Sequence, residues 1–172
     1  EIIDRPPELA RDDSPEWLAW QHAAAWVASR YGPFERLLSL PATSPMRSIE
    51  DVESCVAALK PDVDMAVCIT QSAKSPWFST VTVDELGHLR LLMDNEGGYV
   101  RRQDVPDAFD LTTVAYAAWT GFVLESSGMW SGRVRGVEVP RERALDIDTP
   151  IDFVFAEFLM SQRRSEGVTD AE

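Results

Sequence analysis

The sequence predicts an α/β fold: a mixed, mainly parallel sheet flanked by helices, with a hairpin protruding from it. Three observations carry this. Arg36–Leu40 and Asp64–Thr70 are short apolar runs separated by a helical pattern, the strand–helix–strand order of a crossover between parallel strands. Phe78–Val83 and His88–Met93 flank Asp84-Glu85-Leu86-Gly87, the signature of a hairpin with a short loop. Ile151, Val154, Phe155, Phe158 and Leu159 recur at i, i+3, i+4, i+7 and i+8, the stripe of an amphipathic final helix.

Ser14-Pro15 reads as the start of a first helix, with Ser14 as N-cap and Pro15 at the first helical position. That helix runs to Tyr31 and stops at Gly32-Pro33. After the strand Arg36–Leu40 comes a loop, Pro41-Ala42-Thr43-Ser44-Pro45. Ser48 opens the crossover helix, and Asp51 three residues on completes a capping box. Met65–Ile69 is apolar throughout, as in a strand covered on both faces. Residues 95–105 show little periodicity. Thr112–Trp119 reads as a strand followed by a short helix near Thr120–Ser126. Arg133–Val139 and Ala144–Ile147 read as further strands. Thr149 is the expected cap of the last helix, with Pro150 at its first position and Asp152 at its third. The expectation is a single domain over 1–164 and a polar, flexible tail over 165–172.

The net charge of −13 repels a phosphate backbone and argues against a nucleic-acid binder. It leaves room for a small anionic substrate held by a few local cations, a metal or helix N-termini. No apolar run approaches the ~20 residues needed to cross a bilayer, so no membrane partner is expected. Cys55 and Cys68 lack metal-ligand spacing and read as reduced core thiols of a cytoplasmic protein. The first residues, Glu1-Ile2-Ile3-Asp4, carry no initiator Met and no signal peptide and read as the end of a strand, so an upstream segment is expected.

Asp146-Ile147-Asp148-Thr149-Pro150-Ile151-Asp152 is the sharpest local feature. On a strand, Asp146 and Asp148 project to one face, at the C-terminal rim where open α/β sheets bind ligands. Two adjacent carboxylates repel unless a cation lies between them, and Mg²⁺ is held by one or two carboxylates plus phosphates and water. The alternative is that these acids only serve the helix N-terminus, which is the preferred reading for Asp152. The hydroxyls of Thr43 and Ser44, with Arg47, can bind oxyanions, although Thr-Ser-Pro is also common turn composition. Arg101-Arg102-Gln103 is a cationic spot suited to carboxylate or phosphate, although most such pairs are simply solvated or ion-paired, which is the preferred reading from the residues alone. His22 and His88 have no catalytic partner nearby in sequence and read as structural.

These segments, taken with Arg5-Pro6-Pro7-Glu8-Leu9-Ala10 and Asp12, Leu40–Arg47, Arg101–Pro106, the strand through Tyr116, and Asp146–Thr149, resemble in order the acylneuraminate cytidylyltransferases, or CMP-sialic acid synthetases. The resemblance implies a nucleotide-diphospho-sugar transferase-like fold, with residues 78–110 as a protruding segment that forms a homodimer. It implies that CMP passes from CTP to an acidic nine-carbon α-keto sugar, sialic acid or a related nonulosonate, with release of pyrophosphate and Mg²⁺ as cofactor. By position, Asp146 and Asp148 match the metal-associated carboxylates and Arg5 an arginine near the nucleotide. Thr43 and Ser44 match the sugar pocket, with Arg47 beside them. Arg102 reaches the acidic sugar, with Gln103 next to it, and Tyr116 and Trp130 match aromatic contacts to the sugar.

The sequence departs from the family pattern in three places. Pro41-Ala42 stands where many members have a Gln, and Thr112-Thr113 where Asn-Gly is common, so the sugar pocket is expected to differ. The triphosphate-gripping loop of the type Pro-Ala-Arg-x-Gly-Ser-Lys is not in these residues. The chain as given is therefore expected to be inactive without an upstream segment. Two other readings stay open: a sugar nucleotidyltransferase acting on an eight-carbon keto acid, and a non-catalytic dimerising module of the same fold.

Overall fold

The computed structural model describes residues 1–11, 13–94, 97–99 and 101–169. The elements that form its main layers are α1 (Glu16–Tyr31), β1 (Arg36–Ser39), α2 (Ile49–Ala57), β2 (Met65–Gln71), β5 (Phe109–Trp119), α3 (Thr120–Glu125), β6 (Val134–Glu138) and α4 (Pro150–Thr169). Among the described residues, the remaining strands, β3 (Val81–Val83) and β4 (Leu89–Leu91), pair only with each other. The main sheet has the order β1-β5-β2-β6. β5 runs antiparallel to both β1 and β2, and β6 is parallel to β2. Thus β1, β2 and β6 point one way, the direction expected of the crossover, but β5 lies between the first two. The α/β class stands, with two of the three ladders antiparallel.

Alternation along the strands sorts the core into two layers. Met65, Val67 and Ile69 meet Tyr116, Ala118 and Val134 on the face covered by Trp17 and Trp20 of α1 and Phe122 and Val123 of α3. Ala66 and Cys68 turn the other way, with Ala115, Ala117 and Val139, onto Cys55 and Leu59 of the α2 segment. This explains why β2 reads as one unbroken apolar run: both faces are covered. Cys55 and Cys68 are fully buried free thiols. The Trp17 indole and the Gln21 amide of α1 both donate to the Ser126 carbonyl, closing the end of α3. The ladder between β2 and β5 breaks after Val67↔Tyr116 and resumes at Ile69↔Leu111. The Thr112 hydroxyl fills the gap by donating to the Cys68 carbonyl at 2.9 Å.

Local chemistry sets the other boundaries. Ser48 and Asp51 exchange hydrogen bonds as a capping box at α2. At α1 the expectation shifts by one residue: Pro15 is the cap, and the Ser14 hydroxyl donates to the Glu8 carbonyl. In the hairpin, the Asp84 carboxylate accepts from the backbone N–H groups of Leu86 and His88, and Gly87 takes φ 83°, a value that glycine tolerates. At α4 the roles at the N-terminus reverse. Asp152 accepts from the Thr149 N–H and hydroxyl at 2.8 and 2.7 Å, so the acid caps and the threonine donates. These bonds hold the Asp152 carboxyl below its ordinary value. The outward stripe of α4, Ile151, Val154, Phe155 and Phe158, is exposed. Among the described residues, no helix is long and apolar enough to cross a membrane.

Candidate active site

The loop after β1 is held by its own arginine. Arg47 donates through Nε to the Ser44 carbonyl at 3.0 Å and through Nη2 to the Pro41 carbonyl. Burial pulls its guanidinium below the ordinary value. Ser44 is buried, with its hydroxyl committed to the Leu145 carbonyl at 3.2 Å. The Ile147 N–H donates to the Thr43 carbonyl at 2.9 Å, and Arg163 of α4 donates to the Met46 carbonyl. Thr43 alone of the polar residues in this loop stays exposed. The Thr43-Ser44 loop and the Asp146-containing segment, about 100 residues apart in sequence, are therefore joined at the C-terminal rim of the sheet.

Ala144–Ile147 is not a strand, contrary to the sequence expectation. After β6 the chain turns at Pro140–Arg143, and its polar groups are taken by the Thr43-Ser44 loop rather than by a neighbouring strand. No ladder therefore enforces the alternation that would place Asp146 and Asp148 on one face. Asp148 is exposed, and Asp146 is half-buried, with Oδ1 buried and lacking a hydrogen-bond partner among the described residues. A buried, unpaired carboxylate oxygen is costly unless a donor or cation reaches it. Tyr116 lies close by. Its hydroxyl is pushed up to about 12, first by burial and then by the charges of Glu16, Asp146 and Cys68. Trp20 packs on the Tyr116 ring at 5.2 Å. Ser39, Tyr116 and Val67 share one level across three strands, so this tyrosine marks the rim where β1 ends.

The other residues singled out in the sequence lie elsewhere. Arg5 is exposed on the N-terminal stretch, which leans on α1 through His22 and the Asp4 carbonyl. Arg101 is ion-paired with Asp104 at 3.0 Å, and the Arg102 side chain lies outside the described residues. Gln103 lines a separate cleft beside the ends of β2 and β5. Trp130 is 72% exposed in a 3-10 turn just before β6, at the opposite rim from Thr43.

One positioning device was not legible as such in the sequence. Arg143 grips Asp51 through two bonds of 2.8 Å, and Asp51 is 4% exposed. This pair ties the segment leading to Asp146 onto the N-terminus of α2. Asp51 is visible in the sequence as a capping residue, but nothing local says that its carboxylate also takes an arginine 92 positions away.

Among the described residues, no three His, Cys, Asp or Glu side chains gather as a metal cage. A Mg²⁺ ion shared with substrate phosphates needs only one or two protein carboxylates, and the unpartnered Asp146 oxygen fits that requirement.

No family model matches the chain. Similar curated proteins do. Post-translational flagellin modification protein B of Campylobacter coli is 24% identical over 136 residues, covering 78% of this chain and 56% of its own length. CMP-N,N'-diacetyllegionaminic acid synthase of Campylobacter jejuni is 30% identical over 89 residues, 51% of this chain and 36% of that protein. N-acylneuraminate cytidylyltransferase of Streptococcus agalactiae is 24% identical over 154 residues, 89% of this chain and 36% of that protein. The chain thus spans between about a third and just over half the length of these relatives. Among solved structures, 4-diphosphocytidyl-2C-methyl-D-erythritol synthase from Anaerococcus prevotii matches with a TM-score of 0.55 at 13% identity, over 82% of this chain and 66% of that one. That likeness bears on the fold alone, an α/β sheet flanked by helices in both chains. The resemblance to acylneuraminate cytidylyltransferases read from the sequence is borne out by the curated relatives.

Proposed function

We propose that this chain carries the sugar-side and metal-side part of a cytidylyltransferase, which transfers CMP from CTP to an acidic α-keto sugar of the nonulosonate class. The observation that carries the reading is the junction of the Thr43-Ser44 loop with the Asp146 segment, beside Tyr116, at the rim of the sheet. The names of the relatives, a CMP-legionaminic acid synthase and N-acylneuraminate cytidylyltransferases, support it.

In this reaction a sugar hydroxyl attacks the α-phosphorus of CTP, its oxygen forms the new P–O bond, its proton is lost, and pyrophosphate leaves with the electrons of the broken bond. Asp146 and Asp148 would hold Mg²⁺, which when bound screens the phosphates and favours the alkoxide form of the hydroxyl. Thr43 offers an exposed hydroxyl to the sugar, while Ser44 and Arg47 hold the loop that presents it. The half-buried Tyr116 ring, backed by Trp20, supplies an apolar wall.

A homodimer is part of this proposal. All six residues of β3 and β4 are exposed, and an isolated two-stranded ribbon is marginal in water. A second copy covering it would bury more than about 2,000 Å² in an obligate interface. The test is pyrophosphate release from CTP and Mg²⁺ by the protein that carries this sequence, with N-acetylneuraminate, a legionaminate and an eight-carbon keto acid offered in turn. Release with a nine-carbon acid supports the proposal. Release only with the eight-carbon acid assigns a different sugar. No release from a folded dimer favours a non-catalytic module.

A further inference from the structure

Two thiols meet where α2 packs on β2. The Cys55 thiol leaves α2 and lies over the strands, donating to the Ala66 carbonyl at 3.5 Å and the Ala115 carbonyl at 3.6 Å. The Cys68 thiol leaves β2 two residues beyond Ala66, on the same face, and donates to the Asp51 carbonyl of α2 at 4.0 Å. Asp51 lies about one helical turn before Cys55. Each sulfur therefore reaches the element that carries the other, and both belong to one buried cluster. We propose that Cys55 and Cys68 form a site of reversible oxidation, at which a small hydroperoxide converts the two thiols into a disulfide that bolts α2 to β2.

The pair is asymmetric. The hydrogen bond between the two thiols raises Cys55 and lowers Cys68, while burial adds to the first shift and opposes the second. Cys68 is the readier of the two to ionise, and it is the attacking sulfur. Its lone pair bonds to one peroxide oxygen and the O–O bond breaks. The other oxygen leaves with the Cys68 proton, as water from hydrogen peroxide or as an alcohol from an alkyl hydroperoxide. The Cys55 sulfur then attacks the sulfur of the resulting sulfenic acid, and the hydroxyl leaves as water with the Cys55 proton. The two sulfurs lose two electrons in all, and the peroxide takes them up.

Burial selects the oxidant. Both cysteines are fully enclosed, which shuts out bulky disulfides and favours a molecule close to water in size. The enclosure is thin on one side. Val52, Val56 and Leu59 belong to or pack on the cluster that holds both thiols, and the same three residues line an open groove of about 460 Å³ along α2. One layer of side chains therefore separates the thiols from solvent, on a helix of nine residues whose local opening admits a small oxidant. The neighbouring Cys55 also protects Cys68 from deeper oxidation, because it captures the sulfenic acid before a second peroxide arrives. This inference does not depend on cytidylyl transfer.

The experiment treats the folded protein with a small molar excess of hydrogen peroxide and follows intact mass and free thiols. The product should be a single chain lighter by two hydrogen atoms, without free thiols, and dithiothreitol should restore the starting mass. Cleavage before Asp62 or Asp64, which lie between the two cysteines, should leave their peptides joined until reduction. Cys55→Ala should leave Cys68 reactive but give a product heavier by oxygen, because nothing captures the sulfenic acid. Cys68→Ala should slow the oxidation of Cys55 at least about tenfold. Should either variant fail to fold, the peptide map of the unsubstituted chain carries the test. The proposal is overturned if both thiols persist in the folded protein, if the product links two chains instead of Cys55 to Cys68, if oxygen adds without the internal link, or if the link forms in urea but not under native conditions.

Discussion

Replacing Arg143 by Ala removes both bonds from a guanidinium to the Asp51 carboxylate, which is 4% exposed. Leaving a buried charge without its partner costs about 3–5 kcal/mol. Asp51 keeps the bond from the Ser48 N–H, and the Arg143 side chain is itself 29% exposed, so the lower end, about 3 kcal/mol, applies. For a chain of this size that corresponds to a fall in Tm of roughly 6–12 °C. The pH dependence is a sharper test. Burial pushes the Asp51 carboxyl up, but the hydrogen bonds from Arg143 and Ser48 together outweigh it, so the group lies below its ordinary value. A carboxyl depressed in the folded state contributes stability above its unfolded value, roughly pH 4, and loses it as pH falls through the folded value. Without Arg143, burial prevails and the carboxyl moves up. The stability gap between wild type and variant should then be full at pH 7 and narrow below about pH 4. Urea unfolding at both pH values measures this. A gap under about 0.5 kcal/mol at pH 7, or one that stays constant into acid, would refute the buried-pair reasoning.

Asp146→Asn should leave stability unchanged or slightly raised, because the variant no longer confines a charge whose Oδ1 is unpartnered; the proposed CMP transfer by the protein that carries this sequence should slow about 100-fold. A marked loss of thermal stability would show that this carboxylate is structural. Tyr116 should ionise near 12 in a spectrophotometric titration, and Asp146→Asn should lower that value. Because the folded state keeps this proton longer than the unfolded chain, stability should decline as pH rises above about 10. Thr112→Val removes the hydroxyl that bonds the Cys68 carbonyl inside the bulge, and should cost about 1–3 kcal/mol by equilibrium unfolding. A neutral result would mean that the ladder re-forms around the gap.

Local physics made much of this protein legible from its residues. The apolar stripe of α4, the capping box at Ser48 and Asp51, and the Asp84–Gly87 turn depend on neighbours a few positions apart, and each forms where expected. The resemblance carried by Leu40–Arg47 and Asp146–Thr149 identified the two segments that the fold brings together. Pairing partners are not local. β5 enters between β1 and β2 because its alternating residues Ala115, Tyr116, Ala117 and Ala118 serve both helical layers, and no spacing within β1–α2–β2 announces that. Ala144–Ile147 has the composition of a strand, yet its backbone groups go to the Thr43-Ser44 loop, so tertiary contacts overrode propensity. The same holds for charge. Sequence shows that Asp51 can cap, Arg47 can bind an anion and Asp146 can hold a metal. Only packing decides that Asp51 takes Arg143, that Arg47 spends its donors on its own loop, and that Asp146 keeps one oxygen unpaired, because burial determines which polar groups must find partners inside the protein.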